Sequence, residues 1–207
     1  MGTVPLEMHG GTVPTVRHRR CSLPLRRQRR AMPRRRRIVE SHSVQHVVNR
    51  GNARHQLFRD HDDYEEFVSL LATAAETVPV PLLAYCLMPN HWHLVLRPPT
   101  SAALSAYMRW LTSTHVRRTH LRRGTRGLGH LYQGRYYNVV VSGELHFLSV
   151  CRYVESNALR AGLVERAELW PFSSLSRTTT RDGRSLLSEW PSPRPDGWLE
   201  MVNLKRR

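Results

Sequence analysis

Leu82-Leu83-Ala84-Tyr85-Cys86-Leu87-Met88-Pro89-Asn90-His91-Trp92-His93-Leu94-Val95-Leu96 reads as two apolar strands joined by a Met-Pro-Asn turn. Side chains alternate across a strand, so His91 and His93 share one face and Trp92 points to the other. Trp92, Leu94 and Leu96 then form the core side. Two imidazoles on one strand face can hold a metal ion or meet a phosphate. Two histidines do not complete a metal site, so a further ligand has to come from another element.

Working outward, Ser43 to Asn49 reads as a preceding strand, broken at Arg50-Gly51-Asn52. From Asp60 to Glu76, Tyr64, Phe67, Leu70, Leu71 and Ala74 recur at helical spacing, with Asp60 or Asp62 as the cap. After the central pair of strands, Ser101 is a plausible cap for a second helix over Ala102 to Leu121. Leu104, Met108, Leu111 and His115 lie along one side of it. Its basic end (Arg117, Arg118, Arg122, Arg123) also suits the helix dipole. A strand over Asn138 to Val141 and a third helix from Glu144 to about Ala158 follow. The order β-α-β-β-α-β-α predicts an α+β fold, a ferredoxin-like four-stranded antiparallel sheet with helices on one face. The other face would be free for a site.

The chain has 207 residues and a net charge of +16, almost all from arginine. Such one-signed charge points to a polyanion, nucleic acid in preference to an anionic membrane surface. Residues 1–31 carry only +6 of it, leaving +10 for the rest. Residues 1–37 are expected to be a disordered basic extension, residues 38–176 the folded domain and residues 177–207 a loosely packed, Ser/Pro/Arg-rich tail. Met32-Pro33-Arg34 also reads as a start, with what precedes it an upstream extension. Cys21, Cys86 and Cys151 show no paired spacing, which fits a reducing cytoplasm. No apolar run is long enough to span a membrane.

On the third helix, Tyr153 and Asn157 are four apart and share a face. Spacing alone leaves Tyr132, Tyr136 and Tyr137 as rivals to Tyr153 for any chemical role. Tyr136 and Tyr137 could equally stack on bases or fill the core. No phosphate-binding G-x-x-x-x-G-K-[ST] loop, serine nucleophile elbow or Cys-x-x-Cys is present.

Six blocks stand in an order that resembles the REP-associated tyrosine transposases, single-tyrosine HUH transposases of the insertion-sequence-200-like family. HUH denotes His, hydrophobic, His. The blocks are His46-Val47-Val48-Asn49-Arg50-Gly51-Asn52, the stretch Tyr85 to His93, Gly129 to Tyr136, Arg152 to Asn157, Arg160 to Val164, and Trp170-Pro171-Phe172-Ser173-Ser174. The resemblance implies an HUH endonuclease type of ferredoxin-like sheet. It implies Tyr153 as nucleophile, with His91, His93 and Asn157 as ligands of Mg²⁺ or Mn²⁺. It also implies cleavage and rejoining of single-stranded DNA near hairpins or palindromes, through a 5′-phosphotyrosine, by a monomer or homodimer. Arg50, Arg135 and the basic end of the second helix would contact DNA. Asn157-Ala158-Leu159-Arg160 departs from the family's usual Asn-Pro-Val-Arg, and the missing proline would lengthen the helix. The N-terminal extension departs as well. A non-catalytic nucleic-acid-binding module of the same fold, and a zinc hydrolase, are the competing readings.

Overall fold

A computed structural model describes residues 42–204. The proposed extension over 1–37, and the start of the domain at residue 38, lie outside the described residues. Four strands form one antiparallel sheet in the order β2-β3-β1-β4: β1 (Val44–Arg50), β2 (Leu82–Met88), β3 (His91–Leu96) and β4 (Tyr137–Val141). The expected ferredoxin-like α+β architecture is present. In β1, Val48 stands opposite His93 and Arg50 opposite His91, so these four side chains share a face.

Helices α1 (His61–Thr77) and α2 (Ser101–Arg122) cover the opposite face. Asp60 caps α1, its carboxylate accepting from Asp63 N at 2.8 Å. Thr100, not Ser101, caps α2, accepting from Ala103 N at 3.1 Å. Phe67, Leu70 and Leu71 of α1 and Leu104, Met108 and Leu111 of α2 pack there with Tyr85, Leu87, Trp92, Leu94 and Leu96. Trp92 is fully buried and donates from Nε1 to the Tyr132 hydroxyl at 3.1 Å. That hydroxyl in turn donates to His115 Nδ1 at 2.7 Å.

Helices on one face only is the part of the expectation that changes. Helix α3 (Glu144–Glu155) lies across the histidine-bearing face. Its Phe147, Cys151 and Val154 pack on Leu83, Cys86, Met88 and Val95. The reason is that β2 is apolar on both faces and β3 adds Val95 on this side, so both faces must be covered. The helix ends earlier than its apolar spacing suggested. Ser156 adopts φ −84°, ψ 2°, and a separate short helix, α4 (Asn157–Arg160), follows. The chain breaks here without a proline.

Residues 177–204, expected to be a loosely packed tail, instead close over the domain. Trp198 and Val202 of α5 (Trp198–Asn203) are buried among the α3 side chains. Trp190 Nε1 donates to Leu83 O at 2.8 Å, and Ser188 N donates to Leu82 O at 2.8 Å. Arg177 pairs with Glu65 of α1 through its two terminal guanidinium nitrogens. The apolar residues of this stretch follow no helical or strand period, so composition concealed them. The block before it covers the outer edge of β2. Leu87 N donates to Phe172 O and Ser174 N to Tyr85 O, each at 2.9 Å.

The basic end of α2 also differs from expectation. Arg122 and Arg123 both pair with the buried Asp63, and Arg123 donates to Leu57 O at 2.7 Å. Arg118 and Arg122 approach Glu66. These ion pairs join α2 to α1.

Burial, reinforced by Arg123, holds the His115 imidazole down to about 3. A base that resists protonation only when folded lets the unfolded chain take up protons first. Stability therefore falls as pH drops from 6.5 toward 3. His115 alone should cost about 2 kcal/mol between pH 6.5 and pH 5, at about 1.4 kcal/mol per pH unit. Urea unfolding at both pH values should show the His115→Phe variant losing that much less than wild type. Equal losses would mean that His115 does not stay neutral in the fold.

Candidate active site

The alternation of β3 and the register of β1 gather four groups on the α3 side of the sheet: His46, Arg50, His91 and His93. His93 is 5% exposed, so its ring is committed to neighbours rather than water. The His91 and His93 rings meet edge-on, with centroids 5.0 Å apart. His91 Nδ1 lies 2.7 Å from Asn90 Oδ1. The amide oxygen can only accept, so Nδ1 carries the proton and His91 Nε2 keeps its lone pair. The turn before β3 thus sets the tautomer of the strand's first histidine.

Asn157 arrives from the other layer. The break at Ser156 aims its side chain at the sheet, and its amide stands 3.4 Å from His93 Nε2. The same amide bonds His91. A half-turn about χ2 exchanges its oxygen and nitrogen, so it can present Oδ1 to a cation beside the two imidazoles. Burial lowers the pKa of His91, and the Arg50 charge adds to it. His93 is held well below the usual imidazole value by burial, then by His46, His91 and Arg50. Both rings are therefore neutral near pH 7, and ligand lone pairs need no deprotonation. Two imidazoles and an amide oxygen form a donor set that fits one divalent ion. Among the described residues, no group of three or more His, Cys, Asp or Glu side chains is arranged to hold a metal.

Tyr153 lies on α3 above these rings. Its ring meets that of His93 edge-on at 5.5 Å and that of His46 at 6.0 Å. It is 42% exposed, so it is open to solvent while it touches both imidazoles. Arg160 holds its guanidinium carbon 5.5 Å from the Tyr153 ring centroid. A groove of about 400 Å³ opens beside it, lined by Ser149, Arg152, Tyr153, Ser156 and Arg160 among others.

The family model for IS200-like transposases matches residues 40–157, more than half of the chain. The chain belongs to the IS200-like transposase family. Its fold is similar to that of a REP-associated tyrosine transposase solved bound to a REP hairpin, with 18% identity and a TM-score of 0.55. The match covers 80% of this chain and 94% of that one. A putative transposase from Deinococcus radiodurans is also similar, at 24% identity and a TM-score of 0.42, covering 60% of this chain and 96% of that one. No curated protein matches.

Four of the residues expected at the site of this transposase are brought together: His91, His93, Tyr153 and Asn157. Arg50 joins them on the same face. Arg135 does not. It lines a separate groove with Arg109, Thr112 and Arg117 of α2, and Asn49 and Tyr132 at its floor face the α1/α2 side. The rival tyrosines are accounted for. Tyr132 is buried in the Trp92–His115 chain, and burial raises its pKa. Tyr136 is 9% exposed, and Tyr137 is exposed on the β4 edge. Sequence reasoning missed the site roles of His46, Asn90 and Arg160. Asn90 was visible in the turn. His46 needed the β1–β3 register, and Arg160 needed the path of α4. No helix of the described residues is long and apolar enough to cross a membrane.

Glu155 anchors the helix that carries Tyr153. Its buried carboxylate accepts from Ser174 Oγ at 2.7 Å and Trp198 Nε1 at 2.7 Å, and Arg194 pairs with it at 3.2 Å. Burial raises its pKa, while these three partners oppose the shift. Glu155→Ala would leave the Arg194 charge and two donors unmatched, at a cost of about 3 kcal/mol. Glu155→Gln, which retains an acceptor, should cost clearly less. Chemical denaturation checks both, and equal losses would show that only side-chain volume matters there.

Proposed function

We propose that this transposase cleaves and rejoins single-stranded DNA next to a hairpin through a 5′-phosphotyrosine at Tyr153. The observation that carries the reading is the convergence of Tyr153, His91, His93 and Asn157 from two layers of the fold, in a chain of this family. His91 Nε2, His93 Nε2 and Asn157 Oδ1 would hold Mg²⁺ or Mn²⁺. That ion would polarise the scissile phosphate and offset charge developing on it.

The remaining chemistry belongs to the chain. The Tyr153 oxygen attacks phosphorus. The bond from phosphorus to the 3′ oxygen breaks, and the 5′-phosphate stays on the tyrosine. The phenol proton leaves to solvent and the departing 3′ oxygen takes one up, so the step is proton-neutral. The exchange swaps one phosphate ester for another. Rejoining by attack of a 3′-hydroxyl therefore needs no nucleotide triphosphate, in keeping with the absent phosphate-binding loop. Arg160 beside the ring, and Arg152 in the adjoining groove, are placed to meet the strand's phosphates. Arg50 supplies positive charge next to the histidines.

The hairpin belongs to the reading through Arg135. Arg109, Arg117 and Arg135 have no ion-pair partner among the described residues, in contrast to Arg118, Arg122 and Arg123. Arg109 and Arg117 are eight residues apart on α2, about 12 Å at 1.5 Å per residue. The aromatic floor of this groove, Tyr132 and Tyr136, is buried and offers no stacking platform. It suits a duplex backbone better than single-stranded bases.

Labelled hairpin DNA with a single-stranded flank, incubated with Mn²⁺ and run on a denaturing gel, should give a covalent adduct with wild type. None should form with Tyr153→Phe. An adduct in that variant overturns the nucleophile assignment. No adduct with wild type on any hairpin favours a binding module of the same fold. Replacing Arg109, Arg117 and Arg135 together by Ala should lower the slope of log affinity against log salt by about 2–3, close to one for each phosphate no longer neutralised. Adduct yield at saturating DNA should persist. An unchanged slope removes this groove from the interface.

A further inference from the structure

His46 Nε2 lies 3.0 Å from His93 Nδ1, with the two rings stacked at 19° and 5.2 Å between centroids. A nitrogen–nitrogen hydrogen bond holds one proton, and its position decides what His93 can do. Were His46 the donor, His93 Nδ1 would be the acceptor and its proton would sit on Nε2. That nitrogen faces Asn157, and with a proton on it the ring has no lone pair to offer a cation. With His93 Nδ1–H as donor, the lone pair of Nε2 points to the Asn157 amide. The neighbouring histidine supplies a precedent within the same site. Asn90 Oδ1 takes the Nδ1 proton of His91 and frees its Nε2.

We propose that His46 is a positioning residue that accepts the Nδ1–H of His93, fixing the tautomer and ring plane in which His93 Nε2 is a metal ligand. Outer-shell partners of ligating histidines are commonly carboxylates or backbone carbonyls. Here a neutral imidazole occupies that place. The register makes this possible. Val48 is the residue directly opposite His93, so His46 is its diagonal neighbour on the same face. The edge-on approach of Tyr153 to both rings closes the pair from above. The inference rests on the reading of His91, His93 and Asn157 as a metal donor set.

The test uses the full-length chain, free of DNA, with Mn²⁺ alone as probe. Long-range ¹⁵N–¹H NMR on metal-free protein should find the His93 proton on Nδ1 in wild type. Manganese affinity, read by electron paramagnetic resonance of the free ion, should fall about 10–100-fold in His46→Phe. His46→Gln retains an acceptor oxygen and should recover affinity to within about threefold of wild type, with the Nδ1–H tautomer preserved. A wild-type proton on His93 Nε2 would overturn the proposal outright. So would unchanged affinity in His46→Phe, or a His46→Gln variant as weak as His46→Phe. If His46→Phe does not fold, the wild-type tautomer and the His46→Gln affinity still decide the matter. His93→Ala separates the role of His46 from the donor set on which it rests. Unaltered manganese binding in that variant would sink the donor-set reading itself. Weakened binding there, with His46→Phe unaffected, would sink only the role of His46.

Discussion

The pairing of β1 with β3 is the constraint on which the rest depends. Strands repeat every two residues, so a shift of one residue exchanges the faces. In the observed register Trp92, Leu94 and Leu96 enter the layer under α1 and α2, while His91 and His93 look the other way. A slip would push two imidazoles into an apolar core and a tryptophan out of it. The buried Trp92–Tyr132–His115 hydrogen-bond chain holds that choice from behind, because the Trp92 indole N–H meets the Tyr132 hydroxyl only when Trp92 points inward. Core packing on one face of β3 therefore sets the direction of His91 and His93 on the other.

The second half of the site arrives on α3, which has little of its own to hold it. Gly143 gives it no side-chain cap, and it is only 12 residues long. Its placement comes from packing on β2 and from Glu155, whose carboxylate ties its last turn to Ser174, Trp198 and Arg194. Two of those partners lie in the segment that composition marked as a loose tail. The position of Tyr153 over the histidines thus depends on residues some forty positions away in sequence. The chain break at Ser156 is equally necessary. It separates the direction of Asn157 from that of Tyr153, so one faces the imidazoles while the other stays half open to solvent.

The sequence made the order of elements legible because periodicity is local: Tyr64, Phe67 and Leu71 mark α1 without reference to anything distant. The shared face of His91 and His93 was legible for the same reason. Tyr153 and Asn157 stood out by spacing as one pair among rivals, and only the family resemblance gave them roles, since i, i+4 spacing on a helix is commonplace. Three features were not legible. The covering of both sheet faces needed knowledge of which apolar strand is central. The role of His46 needed a register, which is a relation between strands 47 residues apart. The docking of residues 177–204 relies on single buried side chains, Leu186, Trp198 and Val202, that repeat with no period.

Charge shows the same division between what composition reports and what placement decides. A net +16 says that a polyanion is the expected partner, yet it does not say which arginines meet it. Arg122 and Arg123 are committed to Asp63, Arg177 to Glu65 and Arg194 to Glu155. Each of these carboxylates is buried, so its cation is held in the fold. Arg50, Arg109, Arg117 and Arg135 have no such partner among the described residues, and they fall in two places: beside the histidines, and along the α2 groove on the other side of the sheet. The sheet stands between these two cationic surfaces and keeps them apart. The ion pairs of Arg122, Arg123, Arg177 and Arg194 direct those four cations to holding the fold, so net charge alone does not locate either surface.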